Sequence, residues 1–159
     1  MKSSPLLQFT GCNMRLTGTY RIAAPRERIF GALTDPAVLQ RCIEGAEKLV
    51  RTADDEYDVH LKIGVGAVKG TYVGKALLTD KNPPESFTLR VEGKGGPGFV
   101  RGAAQIRLEE RDGQTDVVCD ADGQVGGLLA AVGSRLVEAT GRKLMDRFFE
   151  RLAAEATRA

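Results

Sequence analysis

The amino-acid sequence predicts an α+β fold: an antiparallel sheet of about seven strands, curved around one long C-terminal helix, with two short helices after the first strand. Three observations carry that expectation. Between residues 48 and 125 the chain runs through segments that alternate apolar and polar residues, parted by glycine, proline and asparagine breakers. Over residues 127–156 the apolar period changes to that of a helix of about eight turns. The length of 159 residues, 42% of them hydrophobic and 28% charged, suits one domain with a real core, an ordinary domain having about 150 residues.

Residues 1–13, MKSSPLLQFTGCN, carry neither period. They are expected to be a disordered leader or a start assigned too early, since Met14 stands directly before the first patterned segment; the domain then spans residues 14–159. The apolar run before Gly11-Cys12 is shorter than the roughly 7–15 residues of a signal-peptide core. From Arg15, Leu16, Gly18, Tyr20 and Ile22 alternate with Thr17, Thr19 and Arg21, a first strand. A short helix over 26–33 follows Pro25 and turns Ile29, Phe30 and Leu33 to one side. Asp35 caps the next helix and Pro36 takes its first turn; Val38, Leu39 and Cys42 face inward and Gly45 ends it.

Strands are then expected over 48–51, 56–65, 70–79, 86–92, 100–109 and 115–125. The clearest turns Tyr57, Val59, Leu61, Ile63 and Val65 one way, with Glu56, Asp58, His60 and Lys62 the other. Such one-sided alternation predicts an antiparallel sheet with one wet face, and Asp112-Gly113 is a hairpin signal. On the last helix Leu129, Val132, Leu136, Thr140, Leu144, Phe148 and Leu152 form one stripe, widened by Val137, Met145 and Phe149, with mixed charges opposite. This helix is the element long enough to cover the apolar face of the sheet. The inward strand positions include Gly18, Gly74, Ala76, Gly102, Ala104, Ala121 and Gly123, too small to fill the space beneath it. An apolar internal cavity between sheet and helix is therefore expected.

Composition excludes several functions. Twenty-three basic against twenty-one acidic residues leave +2, and six Phe, three Tyr and no Trp offer little to stack on, so nucleic acid is not an expected partner. Cys12, Cys42 and Cys119 lie far apart without CxxC spacing, which predicts reduced thiols in a cytoplasmic protein, with no metal site and no cofactor. His60, the single histidine, falls on the polar side of its strand with no partner for catalysis. The longest uncharged stretch, residues 123–134, has 12 residues, short of the roughly 20 that span a bilayer.

Other features have plain readings beside sharper ones. The glycine run at 93–98 lacks the setting of a phosphate loop and reads as a flexible strand connection, or as a lid at the cavity mouth with Phe99 dipping inward. The carboxylates Asp54-Asp55-Glu56 and Asp120 with Asp122 read as solvated. Arg135 reads as a surface charge, or as a contact for a partner or a ligand head group. Gly126-Gly127 and Gly133 let the beginning of the last helix approach the sheet or hinge, and Gly133 and Gly141 keep space on it, for close packing or for a ligand.

Several segments in order resemble one family, the CoxG family of carbon monoxide dehydrogenase. Asp35-Pro36-Ala37-Val38-Leu39 leading to Cys42-Ile43-Glu44-Gly45 is similar to its DPEVL…CIPG. Val65-Gly66-Ala67-Val68-Lys69-Gly70 with Tyr72 and Gly74 resembles VGxVKxxYxG. Asn82-Pro83-Pro84-Glu85-Ser86-Phe87, then Glu92-Gly93-Lys94-Gly95 and Gly98-Phe99-Val100-Arg101-Gly102, resembles PPxSY…EGxGxxGFAxG. Gln124-Val125-Gly126-Gly127-Leu128-Leu129-Ala130 with Gly133-Ser134-Arg135-Leu136 resembles QVGGKLAxxGSRL. Two features depart from the pattern: Glu44 stands where the family has proline, and the sequence ends at Ala159 where many members continue to a membrane-attaching tail.

The resemblance implies the helix-grip fold of the START and pollen-allergen superfamily. It also implies partners: the subunits of a molybdenum hydroxylase of the carbon monoxide dehydrogenase type, a quinone or lipid-like molecule in the grip cavity, and peripheral contact with the inner face of the membrane. The expected function is thus non-catalytic binding of an apolar ligand, with Leu61, Ile63, Tyr72, Leu89, Val91, Phe99, Leu129, Leu136, Thr140 and Leu144 as cavity wall. The alternatives are a cyclase or hydrolase using the same cavity and a structural adaptor without ligand.

Overall fold

Alternating side chains become seven antiparallel strands in the computed structural model, which describes residues 11–64 and 66–158. They are β1 Gly11–Ile22, β2 Ala46–Ala53, β3 Glu56–Ile63, β4 Gly70–Asn82, β5 Ser86–Gly95, β6 Gly98–Arg111 and β7 Gln114–Gly126. The sheet order is β1-β7-β6-β5-β4-β3-β2. Each strand from β2 to β7 therefore pairs with its successor, while β1 closes onto β7 at the far edge. Two short helices, α1 (Arg26–Leu33) and α2 (Pro36–Cys42), carry the chain from one edge to the other. Asp35 caps α2 as expected, its side chain accepting from the Ala37 N–H at 3.0 Å. Helix α1 has no cap of its own; Glu110 from β6 accepts from the Arg26 N–H at 2.9 Å instead.

Three sequence expectations are corrected. Strand β1 begins at Gly11, where Gly11, Cys12 and Asn13 pair with Gly126, Val125 and Gln124, so the last three residues assigned to the leader belong to the sheet. Residues 1–10 and Val65 lie outside the described residues, and the strand expected over 56–65 ends at Ile63, with Gly64 outside it. The glycine run joins two strands as expected but is mostly strand itself: β5 and β6 extend to Gly95 and Gly98, leaving Gly96-Pro97 as the turn. That turn is clamped, because the Leu129 N–H donates to the Pro97 carbonyl at 2.9 Å and Pro97 packs against Gly70. Finally, the terminal helix is two: α3 (Leu128–Val132) and α4 (Ser134–Ala156) meet at Gly133, whose φ of +103° breaks the helix.

Helix α4 lies along the inner face and seals the β1 edge. Glu138 accepts from the Arg15 N–H at 2.9 Å and Arg142 donates to the Thr17 carbonyl at 2.7 Å, so edge groups that would invite another strand are bonded within the chain. Asp112 and Gly113, at φ 56° and 79°, make the β6–β7 hairpin turn foreseen. Glu44, the residue in place of proline, accepts from Arg147 at 2.8 Å through both carboxylate oxygens. Arg151 stands 3.7 Å from it. The charge ties the loop after α2 to α4.

Candidate functional site

The apolar interior divides in two. The larger cluster, around Ile29, Phe30, Leu33, Phe87, Ile106, Leu108, Val117, Phe149 and Leu152, fills the end near α1 and α2. There Tyr20 stacks on Phe149, ring centroids 4.3 Å apart, and its hydroxyl bonds Asp146 at 2.5 Å. Burial first, then that carboxylate, pushes the Tyr20 phenol well above its ordinary value. The smaller cluster, Tyr72, Val125, Leu129 and Val137 with Leu61, Ile63, Val68, Met14 and Val100, fills the other end.

Between them the side chains are small, and sheet register explains why the gap falls there. Gly102 pairs with Gly123, and Ala104 with Ala121. Val91 and Leu89 flank these pairs on β5, Met14 and Leu16 on β1. The result is an apolar hollow of about 100 Å³ bounded by Met14, Leu16, Leu89, Val91, Val100, Ala104 and Ala121 with the two glycines. The side chains of Arg101, Ala103 and Asp122, whose residues also border it, alternate to the other face of the sheet. Acidic and basic side chains are absent from its inward lining among the described residues.

The glycines around the hollow have distinct reasons. A Cβ on Gly102 would stand 2.6 Å from the Asp122 carbonyl oxygen, and one on Gly123 2.6 Å from that of Arg101. Both are required by the close approach of β6 and β7. On α4, a Cβ at Gly141 would stand 2.9 Å from Leu16 Cδ1, so this glycine is a notch that seats Leu16. At Gly133 nothing lies within 4 Å; backbone conformation, not space, accounts for it.

The ten expected wall residues separate accordingly. Leu89 and Val91 line the hollow. Leu61, Ile63, Tyr72 and Leu129 belong to the smaller cluster beside it. Thr140 is buried on α4, its hydroxyl donating to the Leu136 carbonyl at 3.1 Å, and Leu144 is half-buried. Two are misplaced. Leu136 is 58% exposed, because the break at Gly133 resets the helical phase and turns Val137 inward in its place. Phe99 alternates with inward Val100 and covers Gly126 on the outer face, 6.0 Å from the Arg101 guanidinium. Met14, Leu16 and Val100 were missing from the expected wall; strand alternation carried the signal for Leu16, and Met14 was lost with the late start given to β1.

Polar groups nearby are satisfied or outside. The Tyr72 hydroxyl donates to the Val68 carbonyl at 2.5 Å, and burial raises its phenol above the usual value. Cys42 and Cys119 are buried and burial pushes both thiols up, away from nucleophilic reactivity. His60 and Arg135 are exposed. Asp55 pairs with Lys81 at 2.7 Å and Asp120 with Arg15 at 3.0 Å. No group of three metal-ligating side chains occurs among the described residues. A larger groove, about 680 Å³, opens on the outer face beside Arg15, Arg90, Arg101, Asp122, Gln124 and Glu138. It is charged and open, unlike the interior.

A family model for CoxG, a subunit of carbon monoxide dehydrogenase, matches residues 18–157. No curated protein matches. Among solved structures, a conserved protein from Geobacillus kaustophilus is 33% identical with a TM-score of 0.87, over 90% of this chain and 95% of that one. The ZhuI aromatase/cyclase from Streptomyces sp. R1128 is 15% identical with a TM-score of 0.69, over 91% and 94%. A START superfamily protein from Mycobacterium smegmatis is 13% identical with a TM-score of 0.69, over 89% and 96%. The last two likenesses show the fold, which is the helix grip.

Proposed function

The chain belongs to the CoxG family of carbon monoxide dehydrogenase, and from that premise we propose that it is a non-catalytic binding protein for an apolar molecule, a quinone or lipid-like ligand. In this reading it accompanies a molybdenum hydroxylase of the carbon monoxide dehydrogenase type and helps bring that enzyme to the membrane. The observation that supports it is the divided core: two packed ends with an aliphatic hollow of about 100 Å³ between them. Burying hydrocarbon there is favourable by about 25 cal/mol per Å², whereas the carbonyls of a quinone ring would be stranded among Leu, Val, Met and Ala.

Size points the same way. An aliphatic cavity of about 150 Å³ takes benzene, and pockets for whole ligands span about 300–1,000 Å³. The hollow therefore receives a stretch of isoprenoid or acyl chain. The ring belongs in the smaller cluster, where the Tyr72 hydroxyl can exchange the Val68 carbonyl for a ring carbonyl once α3 has moved aside between Gly127 and Gly133.

A cyclase or hydrolase would need an acid or base facing the hollow, and the inward side chains there are aliphatic. Extraction of the purified protein with organic solvent, followed by mass spectrometry, tests the reading. An isoprenoid or acyl lipid recovered near one per chain is expected. Recovery of none, together with no uptake of a short-chain quinone on titration, contradicts it.

A further inference from the structure

The end of the molecule nearest α3 is assembled from three segments: residues 66–70, 93–99 and 124–137. The Leu129 N–H bonds the Pro97 carbonyl at 2.9 Å, Pro97 packs on Gly70, and Gly66 packs on Thr140 of α4. Two features coincide there. First, Leu128 and Leu136 are the most exposed large hydrophobic side chains among the described residues, at 68% and 58%, and Val132 lies between them at 36%. Leu128 and Val132 are one turn apart on α3, and Leu136 is exposed in the first turn of α4, just past the break at Gly133. Second, the three segments carry Lys69, Lys94 and Arg135, all exposed, and neither Asp nor Glu. The acids that border the segments are Glu138, which accepts the Arg15 N–H at the β1 edge, and exposed Glu92, whose neighbours across β4 and β6 are Lys75 and Arg101. In a chain whose net charge is +2, this end is locally cationic and apolar together.

We propose that this end is a face that enters an anionic lipid surface, with Leu128, Val132 and Leu136 in the acyl boundary and Lys69, Lys94 and Arg135 among the headgroups. The inference rests on the membrane part of the reading above and gives it a place on the molecule. Leu129, 1% exposed on the other side of the same short helix, closes the smaller cluster, so the face that meets lipid is also the cover of the ligand site. Apolar side chains flanked by cations are what an acidic bilayer rewards.

The test is co-sedimentation of the full chain with vesicles of phosphatidylcholine mixed with phosphatidylglycerol, and of phosphatidylcholine alone. Preference for the anionic vesicles is expected. Leu128→Ser with Leu136→Ser, both exposed and so compatible with folding, should lower partitioning by roughly ten-fold or more. Lys69→Gln and Arg135→Gln should each lower it roughly five-fold. Val50→Ser with Leu77→Ser, exposed apolar residues of β2 and β4 outside the three segments, should leave it unchanged. Equal binding to both vesicle types, or binding indifferent to the leucine pair, overturns the proposal. So does a leucine-pair variant that loses co-purification with the hydroxylase while the unsubstituted chain ignores vesicles; the face then docks protein. Vesicle binding lost while solvent-extractable ligand remains condemns this face alone. Missing ligand with vesicle binding intact condemns the earlier reading alone.

Discussion

Gly102, Gly123, Ala104 and Ala121 all present little side chain to the interior, but for different physical reasons. The glycines cannot accept a Cβ because the opposing carbonyl oxygens would lie 2.6 Å from it. The alanines already carry theirs, and these face the hollow. Gly102→Ala is therefore expected to cost about 1–3 kcal/mol through backbone displacement. Ala121→Leu, extending into empty apolar space, is expected to change stability by less than about 1 kcal/mol. Urea unfolding of the two variants measures both values, and comparable losses would mean that the hollow is packed. That all four positions face inward was legible from alternation alone. Which of them touch backbone was not, because it depends on register between β6 and β7 and on how closely those strands approach.

At the scale of elements, strands were easier to read than their joints. One wet face leaves a period of two in the sequence, and every strand from β2 to β7 was located by it, though most extend by one to three residues further than the pattern shows. The break between α3 and α4 left no such mark. Apolar spacing runs through Gly133 without interruption, and a glycine inside a helix costs only about 1 kcal/mol, so periodicity alone favours one continuous helix. The misplacement of Leu136 follows from that single joint.

Glu44 illustrates the other limit of local reading. As a replacement for proline it signified only a looser turn and an added charge, whereas its partner Arg147 lies 103 residues away in sequence. Glu44→Gln is expected to destabilise the protein by about 0.5–1 kcal/mol, the pair being partly exposed. A double-mutant cycle with Arg147→Gln should show the two effects to be non-additive. Additive losses would assign the residue no role in holding the loop to α4.

For the molecule as a whole, the sequence implied a curved sheet, a covering helix and too few bulky residues between them, and the structure contains all three. What it could not express is volume. The interior packs at both ends, around Phe30 and Phe149 at one and around Leu129 and Val137 at the other, and the hollow bounded by Met14, Leu16, Leu89 and Val91 is about 100 Å³. The glycine-flanked α3 lies over the smaller cluster, and Leu128 and Val132 stand exposed on the outside of that helix. No helix among the described residues is long and apolar enough to cross a membrane.

The most direct test of this account is methyl NMR during titration with a short-chain quinone, comparing the natural sequence with Ala121→Leu. Shifts concentrated on the methyl groups of Met14, Leu16, Leu89, Val91 and Val100, and abolished in the leucine variant without loss of fold, are the expected result. Shifts confined to the outer groove near Arg90 and Arg101, or unaltered binding once the hollow is filled, would contradict it.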